Sequence, residues 1–330
     1  MQVNTVKRES WLKKMLIAGV TISVVTTAPV QAEEDPVTPA IAGVVAGGVK
    51  IRLIKDGFTG TEGPLGLPDG SLIFTETQAN RITRIDENDN ITTYIADSNG
   101  ANGLALSANG ELYAAQTLKP RVGIIHPANK AKVLAEQYAG KPLNRPNDLV
   151  LDKKGGVYFT DPGANGPVKP DQVPTKPAVY YTKPNGELVL ITNEIERPNG
   201  IQLSPDEKVL YVANTAGEYI IAYDIAADGS VSNKRNFAKL EDALQKTETG
   251  GVSSGADGLA VDADGRLYVA ANTGIQIFSA KGEFLGNIVL PKKAQNIAFA
   301  GKDKRTFYIV GRGAAYKFPT LAQGYTGRAK

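Results

Sequence analysis

The sequence predicts an all-β chain folded as a six-bladed β-propeller, and three observations carry that reading. Six stretches repeat one pattern: a polar residue, an apolar strand, a turn and a second apolar strand. The leading polar residues are Glu62, Asn102, Asn147, Asn199, Asp257 and Asn296, with gaps of 40, 45, 52, 58 and 39. A period of roughly 40–50 residues with strand–turn–strand content marks one propeller blade per repeat. The register is also nearly fixed, because Asn102 to Gly110, Asn147 to Gly155 and Asp257 to Gly265 each span 8 residues. The six leading residues are therefore equivalent, and the innermost strands carry them to one mouth of the central channel.

The other elements follow in order. Residues 48–57 read as a strand before the first repeat, and the chain ends soon after Ala315-Tyr-Lys-Phe318. The simplest ring closure pairs that N-terminal strand with the last blade, which leaves only short edges exposed. Residues 131–138 and 238–245 are the only short helical candidates, the second equally readable as loop. Residues 161–177 carry five prolines and two glycines, the composition of a surface excursion.

The N-terminus reads as a targeting segment. Lys7, Arg8, Lys13 and Lys14 precede an apolar run from Met15 to Ala28, followed by Val30-Gln31-Ala32. This is the order of a secretory signal peptide with a small-residue cleavage site. The run is shorter than the ~20 residues needed to span a bilayer. We therefore expect residues 1–32 to be a signal, 33–46 a flexible tail and 47–330 the propeller, in a periplasmic or secreted protein. Removing four of the 37 basic and one of the 34 acidic residues leaves 33 of each. That neutral balance gives no reason to expect a nucleic-acid or membrane partner once the signal is gone. The expected form is a monomer.

Several chemistries are excluded by composition. With no cysteine, disulfides, thiol catalysis and thiolate metal sites are absent. The single histidine, His126, precludes a zinc site of two or three imidazoles. Gly251-Val-Ser-Ser-Gly255 matches the nucleophile-elbow pattern but sits in a polar loop rather than between strand and helix. The ring of carboxylate and amide oxygens remains, and such donors favour a hard cation. Calcium suits it best; magnesium, manganese or zinc are alternatives. The competing reading is that Asn or Asp before Gly only caps turns and ties blades, most plausible for Asn102 and Asn296. Glu62 fits that reading badly, since glutamate is a poor turn former.

In order and spacing, further motifs resemble one family. They are Glu62-Gly-Pro, Leu67-Pro-Asp-Gly-Ser71, Asn80-Arg-Ile-Thr-Arg-Ile-Asp86, Arg145-Pro-Asn-Asp148 and Tyr158-Phe-Thr-Asp-Pro162. Arg197-Pro-Asn-Gly200, Ser204-Pro-Asp-Glu207, Tyr211-Val-Ala-Asn214, Ala256-Asp-Gly258 and Gln295-Asn-Ile-Ala-Phe299 complete the set. The chain resembles the gluconolactonase / senescence marker protein / luciferin-regenerating-enzyme-like family from about residue 58 to 318. The resemblance implies one divalent metal at the channel mouth, held by Glu62, Asn199 and Asp257. It implies that Asn147 is a ligand or a substrate contact, and that Arg145 touches sugar hydroxyls. Ala256 stands where Pro is usual, and Glu76 where Asp is more usual.

The implied activity is metal-dependent opening of a sugar-type lactone. The metal would act as Lewis acid, Asp257, or failing that Glu62, as base, and Arg145 with Asn147 would hold the substrate. Asp148 alternates to the other face of its strand and is expected to support the ligands from behind. Two rivals are an organophosphate hydrolase on the same site and a non-catalytic propeller binding sugar or protein.

Overall fold

In the computed structural model, residues 1–2, 36–163, 176–248 and 250–330 are described. The chain divides into two units, Met1–Glu34 and Asp35–Lys330, and every strand among the described residues lies in the second. The expected signal segment lies almost wholly outside the described residues, as does most of the proline-rich stretch 161–177.

Alternating small and β-branched residues in short runs, punctuated by Gly and Asp turns, build six four-stranded antiparallel sheets. The first blade runs Thr61–Gly66, Leu72–Glu76, Arg81–Ile85 and Ile91–Ile95, paired in that order. Blades two to five repeat this from inner strands Ala101–Leu106, Leu149–Leu151, Pro198–Leu203 and Leu259–Val261. The sixth begins at Asn296–Ala300, and its outermost strand is Arg52–Lys55, paired antiparallel with Ala314–Pro319. The ring thus closes as expected, with the N-terminal strand completing the last blade. Each inner strand contacts its neighbours around the axis, and the first touches the sixth.

The core is the stack of blade faces. Leu65, Ile73, Ile82 and Leu104 fill the space between the first and second blades, and Tyr158, Val179, Ile201 and Val212 that between the third and fourth. Blades also bond across the gap. Thr75 Oγ1 donates to the Asn102 carbonyl (2.9 Å), Thr160 Oγ1 to that of Asn199 (2.7 Å), and Thr215 Oγ1 to that of Ala256 (2.7 Å).

Two expectations are corrected. Residues 131–138 are not helical: Lys132–Ala135 is the outer strand of the second blade. Leu134 and Ala135 turn into the core beside the third blade, and the only helix among the described residues is the 3₁₀ turn Ala128–Lys130. Nor are residues 36–46 a flexible tail. Ile41, Val44 and Val45 are buried against the fifth and sixth blades, and Thr38 N–H bonds the Val49 carbonyl. Their apolar side chains cover sheet edges that would otherwise meet water.

Candidate metal centre

The repeat brings the six leading residues to one end of the channel. Glu62, Asn102, Asn199 and Asn296 lie within or at the start of inner strands, and Asn147 and Asp257 stand two residues ahead of theirs. Close packing fixes them. A Cβ on Gly200, just after Asn199, would fall 2.1 Å from the Asp257 carbonyl oxygen. Only glycine lets adjacent blades approach this closely.

The hydrogen bonds orient the donors. Asn199 Nδ2 donates to Thr215 Oγ1 (3.2 Å), whose own proton is committed to the Ala256 carbonyl. Thr215 can therefore only accept, so the amide nitrogen faces Thr215 and Asn199 Oδ1 is left free. Asn199 Oδ1 and Asp257 Oδ1 are both buried without a hydrogen-bond partner. Orphaned buried oxygens are costly unless something positive meets them. Glu62 Oε1 accepts from Gln295 Nε2 (3.0 Å) and Oε2 from Asn296 Nδ2 (3.3 Å).

The electrostatics agree. Burial pushes the Glu62 carboxyl up to about 7, and the charge of Asp148 adds to the rise, while Asn296, Gln295 and Arg145 oppose it. Burial likewise holds Asp257 well above the usual carboxylate range, and the Glu62 charge is the next cause. Two buried carboxylates, one raised by the charge of the other, fit a dication between them. The oxygens open to such an ion are the carboxylates of Glu62 and Asp257 and the free amide oxygen of Asn199. Among the described residues no three or more His, Cys, Asp or Glu gather at one point. A site of two carboxylates completed by neutral amide oxygens suits a hard ion.

Asn147 is half-buried, its N–H bonded to the Thr160 carbonyl (2.8 Å). Asn296 spends its side chain on Glu62 and on the Ile297 N–H, and Asn102 is buried with its carbonyl tied to Thr75. These two act in blade linkage. Buried Glu76 accepts from Arg81, Thr83 and the Thr59 N–H, so its carboxylate is already committed. Ser253, the central serine of the elbow-like motif, ends a two-strand ladder and precedes no helix among the described residues.

Some functional neighbours were not read from the sequence. Asp161 is buried and accepts the N–H groups of Asn144 (2.8 Å) and Arg145 (3.0 Å), clamping the loop that carries Asn147. Its position at the end of a second blade strand was the available signal, since Asn214 does the same for the Arg197 N–H (3.2 Å). Asp148 bonds the Ile201 N–H (3.2 Å) and the Lys330 ammonium. The C-terminal segment closes the other end of the channel. Ala329 bridges to Leu106, Tyr325 N–H bonds the Val261 carbonyl and Arg328 donates to the Leu203 carbonyl, all at the far ends of inner strands. A cavity of about 670 Å³ beside that segment, bordered by Tyr113, Glu207 and Arg328, includes none of the ring residues.

A gluconolactonase of Zymomonas mobilis is 30% identical over 275 residues, covering 76% of this chain and 75% of that protein. The structure of a Xanthomonas campestris gluconolactonase superposes with a TM-score of 0.74 at 27% identity, covering 87% of this chain and 95% of the other. A calcium-binding regucalcin from Agrobacterium tumefaciens shares the fold, with a TM-score of 0.66 at 17% identity over 84% of this chain and 95% of the other. The family model described as SMP-30/Gluconolactonase/LRE-like region matches residues 60–312. The chain therefore belongs to the SMP-30/gluconolactonase/LRE-like family.

Proposed function

We propose that the protein is a metal-dependent lactone hydrolase acting on a sugar-type lactone. The observation that carries this is the pair of buried, unpartnered oxygens, Asn199 Oδ1 and Asp257 Oδ1, beside the carboxylate of Glu62. The similarity to gluconolactonases supports the reaction class. Calcium is the ion proposed, supported by the oxygen-only donors and the calcium-binding neighbour.

Glu62, Asn147, Asn199 and Asp257 would hold the ion. When bound, it would supply Lewis-acid stabilisation of the charge that develops on the ester carbonyl oxygen. Asp257 takes the proton of the attacking water. Glu62, fixed by Gln295 and Asn296, holds the opposite side of the site. Arg145, clamped through its N–H by Asp161, and Asn147 orient the substrate's hydroxyls.

The test is acid release from glucono-1,5-lactone by purified protein, before and after chelation and after calcium is restored. Loss on chelation and recovery with calcium support the reading. Full activity in the metal-free protein overturns it.

We also propose that the chain is exported and loses residues 1–32. The basic start, apolar run and Val30-Gln31-Ala32 motivate this. N-terminal sequencing of the exported protein should begin at Glu33; a mature chain retaining Met15 would exclude it.

A further inference from the structure

One tripeptide occurs at the same place in two successive blades: Arg145-Pro-Asn147 and Arg197-Pro-Asn199. Each arginine precedes its ring asparagine by two residues, so the repeat sets both at one level of the mouth. In the next blade that place belongs to Gly255, two residues before Asp257. A Cβ built on Gly255 would fall 2.5 Å from Lys293 Nζ. Asn272 Oδ1, at 2.1 Å from that Cβ, and the Lys293 ammonium it holds at 2.5 Å together fill the space that a side chain at 255 would take. A fourth cation, Arg312, is tied in through its main chain. Its N–H donates to Gln295 Oε1 (2.8 Å), the residue that also bonds Glu62.

These cations are close enough to feel the site and one another. Arg145 acts on Glu62 and Arg197 on Asp257. Burial depresses the Lys293 ammonium, Arg312 and Arg197 depress it further, and Asp257 opposes them.

Three of the four are arginines with idle guanidinium groups. Arg145, Arg197 and Arg312 make no side-chain hydrogen bond or ion pair among the described residues. Every other described arginine bonds a carboxylate, amide or carbonyl oxygen. Nearby anions are already engaged. Asp148 is taken by Lys330 and Asp161 by main-chain N–H groups, while Glu62 and Asp257 face the space for the cation. The rim thus carries a concentration of positive charge in which three guanidinium groups have no hydrogen-bonded partner among the described residues, at an electrostatic cost to the fold. Neutral sugar hydroxyls do not discharge such a rim. A planar guanidinium fork suits a carboxylate or phosphate.

We propose that the rim of Arg145, Arg197, Lys293 and Arg312 is a subsite for an anionic substituent, so that the lactone taken is an acidic one, carrying a carboxylate or phosphate remote from its ester. This rests on the lactonase reading for the reaction but not for the anion subsite itself. The rim also steers such a substrate to the mouth over a distance set by salt.

The experiment has a binding arm and a kinetic arm, both on the calcium-loaded protein. Calorimetry compares 6-phosphogluconate and glucarate with gluconate, which lacks the second anionic group. Kinetics compare 6-phosphogluconolactone and glucaro-1,4-lactone with gluconolactone. At least one acidic ligand should bind roughly tenfold tighter than gluconate, and Arg197→Gln and Arg312→Gln should each cut that preference by a similar factor. Whether phosphogluconate or glucarate leads tells phosphate from carboxylate. The kcat/KM advantage of the acidic lactone should shrink as salt rises from about 0.05 to 0.5 M. Both positions are exposed, so the variants' unchanged melting temperature checks their fold. Tight binding of an acidic acid without turnover of any lactone would sustain the subsite and reject the lactonase reading. Equal binding of all three acids, unaffected by either substitution, overturns the subsite even if gluconolactone is hydrolysed.

Discussion

The ammonium of Lys330 lies 2.5 Å from Asp148 Oδ2, with the two side chains only 3% and 1% exposed. Lys330 also donates to the Ile201 carbonyl at 2.9 Å. The last residues of the chain therefore enter the channel from the end opposite the ring and meet the carboxylate that follows Asn147. With Asp148 paired to Lys330, Glu62 and Asp257 are the carboxylates left open to a cation.

Lys330→Met should be strongly destabilising. It keeps the stem and removes the charge, leaving Asp148 buried and uncompensated. Breaking a buried pair from one side costs about 3–5 kcal/mol. Asp148→Asn in the same chain should recover much of that loss. Denaturant unfolding of the two single variants and the double variant checks this: additive losses would show that the pair does not act as a unit.

Asn199→Ala and Asp257→Ala should weaken calcium binding and abolish its stabilising effect. For the unaltered protein, calcium at about one hundred times its Kd should add ~2.7 kcal/mol to stability. Titration calorimetry and melting curves with and without calcium measure both quantities. If both variants bind as the unaltered protein does, the ring is not the metal site.

The blade architecture was legible because each repeat must solve the same packing problem, so its polar lead, turn glycine and apolar strands recur at fixed spacing. The same spacing marked six equivalent leading residues, and the two carboxylates, Glu62 and Asp257, stood out among them; Asn199 was added by the family resemblance. Ring closure by Arg52–Lys55 followed from a surplus strand at one end of the chain and a deficit at the other. What the sequence hid were pairings between distant residues without periodicity. Nothing local ties Lys330 to Asp148 or Ile41 to the fifth blade. The stretch 131–138 misled because Ala, Leu, Glu and Gln have high helix propensity, while pairing with Val122 and Ile124 decided the outcome. Arg197 was visible in a motif, but that its guanidinium lacks a partner is a property of the folded rim alone.

The metal-free protein should lose stability as pH rises from 4.5 to about 7. Burial first, then the Asp148 charge, lifts the Glu62 carboxyl from 4.5 to about 7. Within that window the folded state keeps a proton that the unfolded chain has released. Stability then falls with rising pH. The contribution is complete below the unfolded value and gone above the folded one. Calcium must displace this proton, so its binding should weaken as pH drops below about 7, with proton release on uptake. Glu62→Gln should flatten the pH slope of the metal-free protein. An unchanged slope would mean that Glu62 is not the group responsible.

Arg145→Ala should chiefly raise KM for polyhydroxylated lactones, roughly tenfold, with little change in kcat. Its guanidinium would contact the substrate's periphery equally in the ground and transition states, and loss of such uniform binding appears in KM. A simple unhydroxylated lactone should be affected far less. Asp161 supplies the control, because it holds the same loop through the N–H groups of Asn144 and Arg145 without offering the substrate a charge. Asp161→Ala frees the loop that also carries Asn147, so it should lower calcium affinity as well as raise KM. Asp161→Asn keeps one acceptor oxygen and should retain most of both. Steady-state kinetics on the two lactones, with calcium titrations of each variant, separate the roles. An Arg145→Ala protein with an equal fall in kcat on both lactones, and calcium affinity lowered as in Asp161→Ala, would place Arg145 in loop support rather than in substrate binding.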